Sequence, residues 1–178
     1  MGIYLTNRRD NSDPIRWAHA EVGVGSAHGD LVVRAQRWLI NSQRCVLSLI
    51  ERCAGGAGES PDAIGWRPDT LSILVECKVS VMDFYADRQK PWRKDPNLGV
   101  GYYRYFLTPP ALIDPLRHSL PDRWGLLEVR GNRIRMIVRA GRHEVRNLKR
   151  EMKLLIQPER FGSGRETLMT AVMVDQSV

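Results

Sequence analysis

The sequence predicts an α/β protein of the α+β kind, with a mixed central sheet flanked by helices. Three observations predict this class. The β-branched, apolar run Ile73-Leu74-Val75 follows turn residues and indicates a strand. Apolar residues recur at helical spacing over 30–41 and indicate an amphipathic helix before it. Further β-prone runs then alternate with amphipathic segments as far as residue 156, so helices and strands are expected to share one core.

Length and composition suit one soluble globular domain. The chain has 178 residues, of which 43% are hydrophobic and 26% charged. We predict a flexible N-terminal arm over 1–27, a single domain over 28–160 and a C-terminal tail over 161–178. We find neither a membrane-spanning apolar run nor a signal pattern and therefore expect a cytoplasmic protein. The three cysteines show no zinc or disulfide spacing.

The first part of the domain is predicted as a helix and a strand. The helix runs from about Asp30, its N-cap candidate, to Asn41. Residues 44–50 favour a strand, and a helix that continues to Ile50 is the alternative. A glycine-rich connection over 54–58 then leads to a β-hairpin.

The hairpin register decides which acidic residues meet. If Trp66 pairs with Ser72 across a five-residue loop, Asp62 lies opposite Glu76, with Cβ atoms roughly 5 Å apart. A four-residue loop shifts the pairing by one residue and leaves these acids as near neighbours. Asp69 belongs to the turn, because seven extended residues place it about 23 Å from Glu76 at ~3.3 Å per residue.

Charged side chains share one face of the second hairpin strand. Because side chains alternate along a strand, Glu76 and Lys78 project together, while Cys77 lies on the apolar face. The carboxylates of Asp62 and Glu76 repel each other unless a cation lies between them. Oxygen ligands suit Mg²⁺ or Mn²⁺, and a neighbouring lysine can hold a phosphate oxygen or orient the attacking water.

The order Pro61-Asp62, spacer, Glu76-x-Lys78 resembles the motif of the PD-(D/E)XK nuclease superfamily. The resemblance covers roughly residues 30–107 and implies a restriction-endonuclease-like αβββαβ core with an added C-terminal hairpin and basic helix. The run over 87–93 is similar to small single-domain phage and bacterial nucleases. The family pattern implies metal binding by Asp62, Glu76 and the main-chain carbonyl of Cys77, with water activated or oriented by Lys78.

The same resemblance leaves one acidic position open. Many members carry an additional acid on the first helix, and Asp30 is the candidate here, in competition with its interpretation as an N-cap. The implied activity is Mg²⁺- or Mn²⁺-dependent hydrolysis of DNA in phage or bacterial DNA processing, repair or defence, with RNA as an alternative substrate. Many relatives are dimers, so a homodimer is one expectation. The alternative function is a non-catalytic nucleic-acid-binding protein that retains the fold.

The remaining elements follow from capping and periodicity. Ser80 is predicted to cap a helix that Pro91 ends. Strands are expected over 102–107 and in a hairpin over 125–138, with a short turn or helix over 111–121 between them. A final amphipathic helix is expected over 143–156, and its predicted core stripe is Val145, Leu148, Met152 and Leu155. In the tail, residues 167–174 fit either a strand or a docked helix.

Positive charge is concentrated near the C-terminus. The formal net charge is +7, and residues 130–160 alone hold ten Lys or Arg against three Glu. This favours a polyanion partner, with a solvated basic face as the alternative. The predicted nucleic-acid contacts are Arg88, Lys90, Arg93, Arg104, Arg146, Lys149, Arg150 and Lys153.

Overall fold

The computed structural model describes residues 4–5, 27–51, 58–156 and 172–173. Its helices are α1 (Ala27–Asn41), α2 (Val81–Arg88), α3 (Pro91–Lys94), α4 (Ile113–Arg117) and α5 (Leu148–Ile156). Its strands are β1 (Tyr4–Leu5), β2 (Leu47–Ile50), β3 (Ala63–Trp66), β4 (Ser72–Cys77), β5 (Tyr103–Thr108), β6 (Trp124–Arg130), β7 (Arg133–Val138) and β8 (Val172–Met173). No helix in this described part of the chain is long and apolar enough to cross a bilayer.

The strands form one mixed sheet in the order β1-β8-β2-β3-β4-β5-β6-β7. Strands β2, β3 and β4 are antiparallel neighbours, β4, β5 and β6 run parallel, and β7 returns antiparallel at one edge. Helix α1 packs on one face, against Ile73, Val75 and Cys77 of β4. Helices α2, α4 and α5 contribute to the core on the other face, which includes Leu74. The predicted α+β class, with a mixed sheet between helices, is therefore confirmed.

The first helix is longer than predicted, and the following strand is confirmed. Because α1 begins at Ala27, Asp30 lies in its first turn and is not its N-cap. The chain leaves the helix after Asn41, where the Cys45 amide donates to the carbonyl of Leu39 at 3.0 Å. Residues 47–50 then pair with β3, which excludes a helix continuing to residue 50.

The β3–β4 hairpin has the five-residue loop on which the predicted pairing depends. Trp66 pairs with Ser72, and Ala63 pairs with Val75. The turn closes through the Thr70 amide, which donates to the carbonyl of Arg67 at 3.0 Å. Thr70 itself has a φ of 64°, a left-handed conformation that is unfavourable for a β-branched residue. Asp69 lies in this turn, as predicted.

The short helices that follow β4 are set by a cap and a proline. The Ser80 hydroxyl accepts a hydrogen bond from the Asp83 amide at 3.1 Å, which fixes the start of α2 as predicted. Pro91 cannot continue that helix but suits the first turn of the next one, so α3 begins there. In this arrangement both Asp87 of α2 and Arg93 of α3 are buried.

The predicted core stripe of the last helix is wrong. Helix α5 begins only at Leu148, because the Asn147 side chain caps it by accepting from the Arg150 amide at 3.0 Å. Leu148 is 53% exposed and Met152 is 48% exposed, whereas Glu151 and Leu154 face the interior. Val145 lies before the helix and is exposed, and Leu155 is partly buried.

Both ends of the chain contribute short strands. Val172–Met173 lies between β1 and β2, so this part of the predicted tail is a strand. Tyr4–Leu5, within the predicted N-terminal arm, is also a strand, which the sequence did not suggest. The rest of the predicted arm, over 1–3 and 6–26, and the rest of the predicted tail, over 161–171 and 174–178, lie outside the described residues.

Candidate active site

The candidate site is built on the hairpin register. Continuing the pairing of Ala63 with Val75 by one residue sets Asp62 opposite Glu76. The Asp62 carboxylate is anchored there, since its Oδ2 accepts a hydrogen bond from the Cys77 amide at 2.7 Å. Two of the predicted site residues therefore meet at the carboxyl end of β4, directly before Lys78.

Helix α1 brings a histidine to this site and turns the predicted acid away. His28 Nε2 lies 3.5 Å from Asp62 Oδ1, and this hydrogen-bonding contact raises the pKa of His28. Asp30 is two residues further along, hence about 200° around the helix at 3.6 residues per turn, and it is exposed. The helix-one group that contacts Asp62 is thus His28, whereas Asp30 makes no contact with the site among the described residues and stays a predicted ligand.

Glu76 is buried between two cations. It is 2% exposed, with Oε2 at 3.6 Å from Lys78 Nζ and Oε1 at 3.1 Å from Arg93 Nη2. The contact with Arg93 is an ion pair without hydrogen-bond geometry, so Oε1 has no hydrogen-bond partner among the described residues. Burial, reinforced by Asp62 and Asp87, raises the pKa of Glu76 to about 8 against the opposing effects of Arg93 and Lys78.

Lys78 is enclosed by carboxylates. It is 4% exposed, and its Nζ lies 3.5 Å from Asp87 Oδ1 and 3.8 Å from Asp83 Oδ1, in addition to its contact with Glu76. Burial favours the neutral amine, but these carboxylates and that of Asp62 outweigh it and raise the pKa of Lys78. The side chain is therefore an ammonium ion at neutral pH, suited to stabilising negative charge.

Arg93 is an interior ion-pair partner and not a surface contact for DNA. Its guanidinium pairs with Glu59, with Glu76 and, through Nε at 2.6 Å, with Asp87 Oδ2. It also lies over the ring of Trp124, 4.6 Å from the centroid. A side chain with these partners, almost wholly buried, cannot reach a phosphate, so the prediction for Arg93 is wrong.

Arg104 is likewise buried, and its predicted role in nucleic-acid binding is wrong. Its Nε donates to the carbonyl of Gly101 and its Nη2 to that of Pro96, each at 3.0 Å. A Cβ at Gly99 would lie 2.7 Å from Arg104 Nη1, so the guanidinium fills the space that a side chain there would occupy.

The other predicted nucleic-acid contacts lie nearer the surface. Lys149 and Lys153 are exposed on α5, and Arg88 is half-buried at the end of α2. Lys90 is partly exposed, with its Nζ at 2.6 Å from Asp87 Oδ1. Arg150 donates to the carbonyl of Leu98 at 2.9 Å. These positions leave the predicted contacts at Arg88, Lys90, Lys149, Arg150 and Lys153 accessible, but do not test them.

Arg146 belongs to a second buried polar cluster, around Glu151. Glu151 accepts from the Ser72 hydroxyl and the Gly101 amide at 2.8 Å, and from Arg146 Nε at 2.9 Å. The Arg146 guanidinium also covers the ring of Tyr102, 3.8 Å from its centroid. These bonds turn the Glu151 face of α5 inward, which explains why Leu148 and Met152 of the predicted stripe are exposed.

The residues at the hairpin base include oxygen donors of the kind that bind divalent cations. Among the described residues, no three His, Cys, Asp or Glu side chains converge in a group that could hold a metal ion. The two carboxylates of Asp62 and Glu76 are nevertheless hard oxygen donors, as Mg²⁺ and Mn²⁺ require. Glu76 Oε1 accepts no hydrogen bond from the described residues, and burial raises the pKa of this carboxyl group, so an additional cation would stabilise its charged form.

Sequence reasoning did not assign site roles to His28, Glu59 or Asp87. Glu59 accepts a hydrogen bond from the Val100 amide at 2.7 Å and pairs with Arg93. Both partners are far from Glu59 in the sequence, so no local pattern indicated these contacts. For Asp87, the i,i+3 spacing to Lys90 was the only available signal, and it indicated an ordinary helix-surface pair.

Comparison with known proteins shows that this chain resembles a solved structure in its fold. No family model and no curated protein matches the chain. The solved structure of a protein of unknown function from Silicibacter pomeroyi superposes with a TM-score of 0.56 and 20% sequence identity. The match covers 74% of this chain and 84% of that chain. At this identity the likeness concerns the fold alone.

Proposed function

We propose that this chain is a metal-dependent nuclease that hydrolyses phosphodiester bonds in DNA. The observation that carries the proposal is the Trp66–Ser72 register, which sets Asp62 opposite Glu76 with Lys78 two residues further on. Two carboxylates and a lysine at the end of one hairpin are the combination that the PD-(D/E)XK resemblance requires.

The order of the elements is consistent with a restriction-endonuclease-like core. Helix α1 precedes the antiparallel strands β2, β3 and β4, and α2 then leads to β5, which is parallel to β4. This is the αβββαβ order implied by the resemblance. The β6–β7 hairpin and the basic helix α5 are then additions to that core.

In the proposed reaction the chain's own groups bind and orient. Asp62, Glu76 and the main-chain carbonyl of Cys77 would hold Mg²⁺ or Mn²⁺, which supplies Lewis-acid stabilisation of the charge on the phosphate. The Lys78 ammonium neutralises charge that develops on the scissile phosphate and orients the attacking water. Its raised pKa favours this electrostatic role over that of a general base.

One observation favours a second candidate, a non-catalytic nucleic-acid-binding protein. The site carboxylates already have partners, since Arg93 and Lys78 flank Glu76 while Cys77 and His28 contact Asp62. Because these groups already compensate the negative charge of the two carboxylates, a metal ion is less necessary to stabilise them. The protein would then use its basic surface for binding alone.

A cleavage assay distinguishes the two candidates. Purified protein is incubated with linear, nicked, branched and single-stranded DNA, and with RNA, in the presence of Mg²⁺ or Mn²⁺. We expect cleavage of at least one DNA substrate, its loss in Lys78→Ala and Asp62→Ala with binding retained, and no loss in Arg117→Ala, a control at an exposed position of α4. Binding without cleavage by the wild type supports the second candidate. Cleavage that persists in both site variants shows that the site is wrongly assigned.

A further inference from the structure

Asp87 is a fully buried carboxylate in contact with three cations. It lies in the last turn of α2, and its side chain has no exposed surface. Oδ1 is 2.6 Å from Lys90 Nζ and 3.5 Å from Lys78 Nζ, while Oδ2 is 2.6 Å from Arg93 Nε. A buried carboxylate retained inside a protein needs such partners, and here one of them is the lysine of the candidate site.

Arg93 fixes Asp87 relative to the metal-binding side of the site. The same guanidinium that contacts Asp87 also contacts Glu76 and Glu59. Because guanidinium is planar and its donors are rigidly arranged, the acids around it have little freedom to move. Glu59 is in turn anchored by the Val100 amide at 2.7 Å. Asp87 is therefore part of a connected frame, and its position does not depend on Lys78.

The ammonium group of Lys78 lies between Glu76 and Asp87, two buried acids of this frame. A lysine ammonium ends a flexible four-carbon chain and has no preferred direction of its own. Glu76 Oε2 at 3.6 Å and Asp87 Oδ1 at 3.5 Å are nearly equidistant from Nζ, whereas the third acid, Asp83, is at 3.8 Å and is partly exposed. Without Asp87, Glu76 would be the one remaining buried carboxyl group among these three acids beside the ammonium ion.

We propose that Asp87 is a positioning residue that acts through Lys78, holding its ammonium group beside Glu76 for the reaction. The inference rests on the nuclease function proposed above. Asp87 touches neither substrate nor metal in this scheme. Lys90, which is partly exposed, shares Asp87 Oδ1 with Lys78 and competes for it.

The test compares Asp87→Asn with Asp114→Asn, an exposed acid on α4. Asp87→Asn keeps the size of the side chain and removes its charge. We expect kcat for DNA cleavage to fall about 10- to 100-fold, the usual effect of losing a group that orients an active-site residue. KM for DNA should stay within a factor of about two, since the interior Asp87 does not contact DNA, and Asp114→Asn should leave both constants unchanged. An unchanged kcat, or a loss confined to KM, overturns the proposal.

A second measurement does not require nuclease activity. Acetylation of Lys78 by acetic anhydride is followed by mass spectrometry, with Lys153 in the same sample as the reference. We expect Asp87→Asn to raise the rate at Lys78 several-fold without changing the rate at Lys153. An unchanged rate at Lys78 overturns the proposal even if the wild type cuts no nucleic acid, an outcome that by itself would refute only the nuclease function.

A surface variant covers the case in which Asp87→Asn does not fold. Lys90→Met removes the competing ammonium ion from Asp87 Oδ1 at a partly exposed position. Lys78 then has this oxygen to itself, so its acetylation should slow relative to that of Lys153. An equal or faster rate contradicts the role of Asp87. Thermal unfolding of each variant establishes that the rates refer to folded protein.

Discussion

Arg93 Nη2 lies 3.1 Å from Glu76 Oε1 in a part of the interior that solvent barely reaches. The same guanidinium also compensates Asp87 and Glu59, so one cation serves three buried carboxylates. Burial opposes its charge, but Glu76, Glu59 and Asp87 together raise the pKa of Arg93. The candidate site thus depends on a residue that cannot itself touch the substrate.

Replacing Arg93 should therefore be costly for stability. Arg93→Met leaves uncompensated carboxylates in the interior and should lower the free energy of unfolding by about 3–5 kcal/mol. Urea denaturation at pH 7 measures the change. Arg117→Met, at an exposed position of α4, is the control and should change stability by less than about 0.5 kcal/mol. Equal effects of the two substitutions would show that the buried ion pairs contribute little.

The position of α1 predicts which helix-one residue affects metal binding. Because Asp30 faces away from Asp62, Asp30→Asn should leave the Mn²⁺ affinity unchanged. Asp62→Asn should reduce the affinity at least about tenfold, as expected for loss of a charged oxygen ligand. Isothermal titration with Mn²⁺ measures both. A weaker affinity in Asp30→Asn would support Asp30 as a ligand.

The exposed lysines of α5 should contribute to nucleic-acid affinity. We expect Lys149→Ala with Lys153→Ala to reduce the slope of log K against log salt concentration by about 1–2, close to one for each phosphate that the protein no longer neutralises. Fluorescence anisotropy with labelled DNA at several salt concentrations gives the slope. If the slope of the double variant equals that of the wild type, this helix does not contact phosphates.

His143 should make stability depend on pH. Its side chain is buried, and burial, with Arg104 and Arg123 adding to it, lowers the pKa of His143 to about 4. Its ordinary value of about 6.5 applies to the unfolded chain. The unfolded state therefore binds the proton more readily between these values, so stability is lost as the pH falls from about 6.5 to 4.

The substitution His143→Gln isolates this effect. We expect it to reduce the dependence of unfolding free energy on pH between 7 and 4.5, measured by urea denaturation at several pH values. His118→Gln, at an exposed position, is the matched control. An identical pH dependence in wild type and His143→Gln would exclude a contribution from this residue.

The strained turn of the hairpin predicts a stabilising substitution. Thr70 has a φ of 64°, where glycine is favoured over a β-branched residue. Thr70→Gly should raise the free energy of unfolding by about 1 kcal/mol. Thermal and urea denaturation report the change, and Thr70→Val, which keeps the branched side chain, is the control. A loss of stability in Thr70→Gly would show that the hydroxyl or methyl group stabilises the turn more than its conformation costs.

The hairpin shows what short-range information can predict. The turn residues and the alternation along β4 predicted the hairpin and narrowed its register to two loop lengths. The structure has the five-residue loop, which pairs Trp66 with Ser72 and sets Asp62 opposite Glu76. The cap at Ser80 is equally local, because donor and acceptor are three residues apart. The fold class and the first site contacts were therefore accessible from the sequence.

Long-range partners explain what the sequence could not predict. Arg93 and Arg104 resemble surface cations until Glu59, Asp87 and the carbonyls of the 96–101 loop are placed around them. In α5, the apolar stripe suggested which side of the helix is buried. Glu151 instead accepts a hydrogen bond from Ser72, 79 residues away in sequence, and this contact turns the Glu151 side of the helix toward the interior. Only three-dimensional proximity shows that a charged residue has such a partner.

The position of β7 at one edge of the sheet has a consequence for contacts between molecules. Within the described part of the chain, β7 pairs with β6 alone. Arg133 and Arg135 are exposed on β7, and the exposed Arg139 directly follows its last residue. An open strand edge can extend into a neighbouring molecule and seed aggregation. Bringing two such edges together would place guanidinium groups of like charge side by side, which is repulsive. We therefore expect this row of arginines to oppose intermolecular sheet formation, an effect that high salt would weaken.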